Sequence, residues 1–174
     1  DGSGNDGLGT GYISASRSNP SGNVAGLGLN ITPSSALGNS TIIRGHERQQ
    51  GSGSFTGNYS VFRYYEVQPG TFSNFDFVFE YFPAWELNGH TDGTLIAFQE
   101  VQYVHNGWTG PVYWEPLTST NTSPTATATT VTSVLQANVR ITLGSNSNPL
   151  PVELLSFTGE CFNNNVVLSW STAA

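Results

Sequence analysis

Lysine and methionine do not occur in this 174-residue chain, and cysteine occurs once. The lone Cys161 excludes an intramolecular disulfide and any cysteine-built zinc site. Charged residues make up only 10%, where a soluble domain usually carries about a quarter. The basic residues are Arg17, Arg44, Arg48, Arg63 and Arg140, and the net charge is −7. No basic stripe exists to neutralise phosphates, so nucleic acid is not an expected partner. No apolar run approaches the ~18 residues of a membrane-crossing helix, so a membrane-spanning chain is not expected. The chain opens on Asp1 rather than Met and has no charged-then-apolar leader pattern, so export with a cleaved leader is the expectation.

What is present is Gly, Ser, Thr and Asn, with aromatics at 12%. That aromatic content argues against disorder. Short β-patterned runs recur along the chain. Residues 12–17 form a strand candidate. Residues 24–31 read as a glycine-spaced strand with Leu27, Leu29 and Ile31 on one face, and residues 41–44 as another short strand. Residues 46–58 are polar and Gly/Ser-rich and read as a loop. "VFRYYEV" (61–67) is aromatic and β-branched. In "TFSNFDFVFEYF", Phe75, Phe77, Phe79 and Tyr81 share one face, while Asp76, Val78 and Glu80 share the other. Asn88-Gly89 and Asp92-Gly93 are hairpin signals before a strand at 94–104. Asn106-Gly107 signals a further hairpin, with a short partner strand at 112–114. Residues 118–130 read as a low-complexity loop or an exposed edge strand. In "SVLQANVRITL", Leu135, Ala137, Val139, Ile141 and Leu143 point inward and Gln136, Asn138, Arg140 and Thr142 outward. No helical period appears. Short strands at roughly eight-to-twelve-residue spacing imply an all-β fold, an antiparallel β-sandwich of Ig-like or jelly-roll-like type, with about eight strands before the linker and a C-terminal strand pair after it. The boundaries are a Gly-rich segment at 1–11, the sandwich at 12–144, a linker at 145–149 and a terminal two-strand segment at 150–174.

Chemistry is sparse. "HERQQ" matches the start of H-E-x-x-H at His46 and Glu47, but position 50 is Gln and the flanks are too glycine-rich for the helix that motif needs. His46, His90 and His105 are far apart near predicted turns. The acidic residues Glu80, Glu86, Asp92, Glu100 and Glu115 show no spacing that would set two of them across a cleft. No nucleophile elbow or phosphate loop is found, so an enzyme is not expected. No cofactor is expected either, except that Asp1, Asn5 and Asp6 supply the oxygen donors of a calcium loop, although Asp6 stands where such a loop wants Gly. Trp85, Trp108, Tyr113 and Trp114 lie in or beside predicted loops. They could stack on sugar rings or close the ends of the core.

The tail "NPLPVELLSFTGECFNNNVVLSWSTAA" resembles a segment of many secreted Bacteroidota proteins. In those, "LPVELLSFT" opens a small fibronectin-III-like domain, "VVLSWSTA" is its second strand, and a sorting domain for type IX secretion commonly follows. The upstream part resembles the β-sandwich modules that precede such tails. The matching motifs are Arg44-Gly45-His46, Arg63-Tyr64-Tyr65-Glu66-Val67-Gln68-Pro69 and Glu86-Leu87-Asn88-Gly89. The resemblance implies an extracellular or cell-surface role without enzymatic activity, and it defines no ligand residues. It departs in one respect: the small domain should continue for several strands beyond its second.

Two strands alone are marginal in water, so the terminal pair is expected to dock on its own domain, pair with another chain, or belong to a longer precursor. The leading expectation is an extracellular structural protein that self-assembles into a filament, sheath or surface layer. Its inter-subunit residues would be Val152, Leu154, Leu155, Phe157, Val166, Val167, Leu168 and Trp170, donated as strands to a neighbouring copy. The alternative is a glycan-binding or adhesion module of a larger surface protein, using Trp85, Trp108, Tyr113 and Trp114 on surface glycans.

Overall fold

The computed structural model describes residues 11–50, 52–53, 59–105, 108–131, 138–145, 154–162 and 165–172. For the strand residues within 52–53, 102–113, 130–131 and 154–172, it defines backbone and pairing alone. In chain order the strands are β1 (Tyr12–Ser18), β2 (Gly22–Asn23), β3 (Leu29–Pro33), β4 (Asn39–Gly45), β5 (Ser52–Gly53), β6 (Tyr64–Gln68), β7 (Phe75–Glu80), β8 (Ile96–His105), β9 (Trp108–Pro116), β10 (Ser119–Thr122), β11 (Thr125–Val131), β12 (Val139–Gly144), β13 (Leu154–Phe162) and β14 (Asn165–Thr172).

The aromatic alternation of β7 organises the core. Phe75, Phe77 and Phe79 are at most 2% exposed, while Asp76 and Glu80 face out. Burying side chains of this size contributes about 1.5–3 kcal/mol each. β7 is the middle strand of a five-stranded sheet ordered β10-β11-β7-β3-β2. A seven-stranded sheet, ordered β1-β4-β6-β12-β8-β9-β5, packs against it. Between them lie Leu29, Ile31 and the β7 phenylalanines from one side, and Ile42, Tyr65, Val67, Ala97, Val139, Ile141 and Leu143 from the other. Tyr65 meets Phe79 edge-on at 4.8 Å, joining the two sheets. The protein is a β-sandwich, and all pairings are antiparallel except β5 on β9. β13 and β14 form a separate two-stranded sheet.

Several expected elements differ. The strand at 24–31 begins later, because Val24–Gly26 is a 3-10 turn in which Ala25 and Gly26 take positive φ. The strand at 61–67 starts at Tyr64, since Val61 and Phe62 bond instead to Leu143 and Glu86 carbonyls. Asn88 and Gly89 do turn with positive φ. They do not make a hairpin, because β7 and β8 belong to different sheets. The low-complexity 118–130 segment is a hairpin, β10 on β11, whose Ala126 and Ala128 enter the core. The short partner strand at 112–114 is the nine-residue β9. Leu135 and Ala137 lie outside the described residues. Thr142, expected outward, is fully buried and donates to the Arg63 carbonyl at 2.7 Å.

The segment read as a loop after β4 is a strap. It leaves β4 near one side of the sheet and carries β5 to the far side, onto β9. On the way Gln49 is reached by Arg140 at 3.2 Å, which places it over the outer face of β12.

Gly45 explains one part of the R-G-H motif. It pairs across the ladder with Tyr64. A Cβ there would stand 2.1 and 2.2 Å from two Tyr64 ring carbons, closer than van der Waals contact permits. Gly45→Ala is therefore expected to destabilise the fold by about 1–3 kcal/mol through overpacking. A denaturant titration showing an unchanged midpoint would contradict this account.

Candidate functional site

Because the chain has so few charges, the places where it buries them are informative. The three upstream motifs converge on one polar cluster at an end of the sandwich. Arg44 on β4 and Tyr65 on β6 are cross-strand partners, and Arg63 immediately precedes β6. Glu86 comes from the turn after β7. Arg63 and Glu86 form a buried ion pair, 3% and 4% exposed, through Nη2 and Oε1. Arg63 Nη1 also donates to the Glu80 carbonyl at 2.8 Å. The second Glu86 oxygen accepts the Phe82 N–H at 2.8 Å. Tyr65 Oη donates to the Leu27 carbonyl at 2.7 Å, and Arg44 Nη1 reaches the same oxygen at 3.5 Å. His46 Nδ1 lies 3.8 Å from Glu86.

The electrostatics follow from crowding two guanidiniums around one carboxylate. Burial, then Arg63, lowers the Arg44 pKa. Burial, then Arg44 and Arg63, lowers the His46 pKa below its ordinary 6.5 against an opposing pull from Glu86. Burial pushes the Tyr65 phenol up to about 12. Both Glu86 oxygens are engaged, one by Arg63 and one by the Phe82 N–H, so this carboxylate holds the turn in place.

A second network crosses the outer face of the large sheet. Glu66 on β6 and Arg140 on β12 are cross-strand partners, 3.0 Å apart at their charged ends. Glu100 on β8 lies 3.8 Å from the same guanidinium. Burial raises the Glu100 pKa, with Arg140 opposing and Glu66 adding. A single arginine thus bridges the two carboxylates. Of the other acidic candidates, Asp92 accepts from Tyr81 and Ser123 at 2.6 and 2.7 Å, and Glu115 accepts from Gln99 at 3.1 Å. Glu80 is carried on the outward face of β7. Among the described residues no group of His, Cys, Asp and Glu could hold a metal. His90 Nε2 contacts the Tyr59 carbonyl at 2.7 Å, away from His46.

Of the aromatic candidates, Trp85 is 52% exposed in the turn after β7. Trp114 sits within β9, is 3% exposed, and packs with Phe98 and Ile96 as a small second core. Trp108, the first residue of β9, and Tyr113 lie on the same strand, and their side chains are outside the described residues. Leu154, Leu155 and Phe157 fall on β13, and Val166, Val167, Leu168 and Trp170 on β14. The side chains of these residues, together with Val152, Asp1, Asn5 and Asp6, lie outside the described residues.

Sequence reasoning gave no role to Phe82, Tyr12 or Ile13, which are 62%, 65% and 49% exposed. The available signal was "FPAW", an apolar run placed just after a completed strand. Comparison with protein-family models, with curated proteins and with solved structures returned no match.

Two outcomes test the cluster. Glu86→Gln leaves Arg63 buried without its counter-charge and is expected to cost about 3–5 kcal/mol, read by equilibrium unfolding. His46 sets a pH dependence. Its folded pKa is depressed, so the unfolded chain binds the proton more tightly. The stability it contributes is full above 6.5 and is lost as the pH falls from there through the lowered folded value. His46→Asn should flatten that part of the stability–pH curve, and an unchanged slope would remove His46 as its cause.

Proposed function

We propose that the chain is an extracellular structural protein that assembles with copies of itself, as a filament, sheath or surface layer, through β-strand contacts. The observation that carries this reading is the edge strand β1. It is seven residues long and, among the described residues, pairs only with β4, in unbroken register from Tyr12 to Ser18. Every residue of it except the half-buried Ala15 is exposed. Among the described residues the other edges of the two large sheets are short: β10 has four residues, and β2 and β5 have two each.

Edge strands are ordinarily blunted by lysine, proline, bulges or cover, because their free N–H and C=O groups template another strand. β1 has none of the first three, and Arg17 is its one charge. Its surface is otherwise serine, alanine and apolar side chains. A strand laid along it would meet little electrostatic resistance.

The supply of strands points the same way. β13 and β14 pair with each other and form no part of either large sheet. A hairpin alone is marginal in water and gains from joining a larger sheet. Addition of one copy's hairpin to the next copy's β1 is a head-to-tail contact, and contacts of that kind propagate into open fibres. The extracellular setting is supported by the charge-poor, lysine-free composition and by the resemblance of the tail to secreted proteins.

The test is the Ser14→Lys, Ser18→Lys double variant, placed on exposed β1 positions. The melting temperature should stay within a few degrees of wild type, since exposed substitutions cost little. Assembly seen by sedimentation and negative-stain microscopy should disappear. Polymers equal to wild type in number and length would rule β1 out as the contact.

A further inference from the structure

We infer that the Phe82–Trp85 turn is the apolar anchor of the same subunit contact, seated against a second copy of this chain; this rests on the assembly reading above. The turn is held firmly for one so exposed. The N–H groups of Trp85 and Glu86 donate to the Phe82 carbonyl at 3.1 and 2.9 Å. The Phe82 N–H donates to the buried Glu86 carboxylate at 2.8 Å, and the Glu86 carbonyl accepts from Phe62 at 2.8 Å. Pro83 fixes one backbone angle within it. A buried ion pair and four hydrogen bonds therefore present two aromatic side chains, 62% and 52% exposed, to solvent.

A rigid aromatic turn loses little conformational freedom on binding, and aromatics of this kind dominate the centres of protein contacts. Two further observations select a second copy as the occupant. The first is charge. Glu86 is the only charged residue between Tyr81 and Thr91, and it is buried. An uncharged partner surface therefore meets the turn without desolvating a charge, and this chain, at 10% charged residues, offers such surface. The second is continuity with β1. Tyr12 and Ile13 pair with Gly45 and Arg44. The next residue, His46, donates its N–H to the Gly11 carbonyl at 3.1 Å and approaches Glu86 at 3.8 Å. Ile13 shares the core-facing side of β1 with Ala15, so a path runs from it past Arg44 and His46 to the turn, while Tyr12, one residue away, points to the opposite face of the sheet. A neighbour whose strand is added at β1 would cover this path.

The experiment compares wild type, Phe82→Ser/Trp85→Ser, and Phe72→Ser as an exposed control off the path. Sedimentation and light scattering across a concentration series give the assembly threshold, and a thermal melt of the dilute protein checks the fold. The double variant should melt like wild type and raise the threshold at least about tenfold, as loss of a central aromatic anchor does. Phe72→Ser should leave it unchanged. If the double variant assembles at the wild-type threshold while the β1 lysine variant does not, the anchor is overturned and the assembly reading stands. If wild type stays monomeric at every concentration, both fall. In that case a shift of tryptophan fluorescence by soluble oligosaccharides, lost in Trp85→Phe, would give the turn to a glycan instead.

Discussion

The buried pair between Arg63 and Glu86 is the interaction on which the end of the sandwich depends. It joins the entry of β6 in one sheet to the exit of β7 in the other. Arg63 binds the Glu80 carbonyl with one nitrogen and the Glu86 carboxylate with the other. Glu86 passes the constraint on to Phe82. Burying such a pair is not in itself a large source of stability, because desolvation offsets much of the attraction. Its consequence is geometric. With one partner removed, a bare charge remains in the core, so the turn has one position rather than several.

The same economy of charge explains the surface. Of the five arginines, Arg44 and Arg63 serve the inter-sheet cluster, and Arg140 serves the outer-face network with Glu66 and Glu100. Arg48 lies over the Tyr59 ring at 3.9 Å. That leaves Arg17 as the one basic residue on the long free edge. A chain with ordinary lysine content would spread positive charge over its edges and so discourage strand addition. Here Arg44, Arg63 and Arg140 are drawn into contacts within the fold and the edge is left almost bare.

The strands were legible wherever side-chain alternation had a two-sheet cause. The face assignment of Phe75, Phe77, Phe79 and Tyr81 matches their burial, as does that of Val139, Ile141 and Leu143. Alternation says which face is buried but not which sheet a strand joins, so Asn88-Gly89 was read as a hairpin when the chain was changing sheets. It also fails where one side of a sheet is covered twice. Thr142, Phe98 and Trp114 face outward by period yet are buried. The three motifs around Arg44, Arg63 and Glu86 stood out in the sequence. Their convergence did not, because positions 44, 63 and 86 are brought together only by the ladder of β4 with β6 and by the stacking of one sheet on the other.

The carboxylates of the two networks serve the structure: Glu86 ties Arg63 to the Phe82 N–H, and Glu100 faces Arg140. Together these contacts hold backbone in place: the 82–86 turn through Glu86, the start of β1 through the His46 N–H on the Gly11 carbonyl, and the strap through Gln49 and Arg140. In the assembly proposed above, every neighbouring copy would meet the same edge and the same aromatic turn, and segments already fixed would lose less freedom on contact, since each degree of freedom frozen on binding weakens it. The polar interior would then act as preorganisation of a surface.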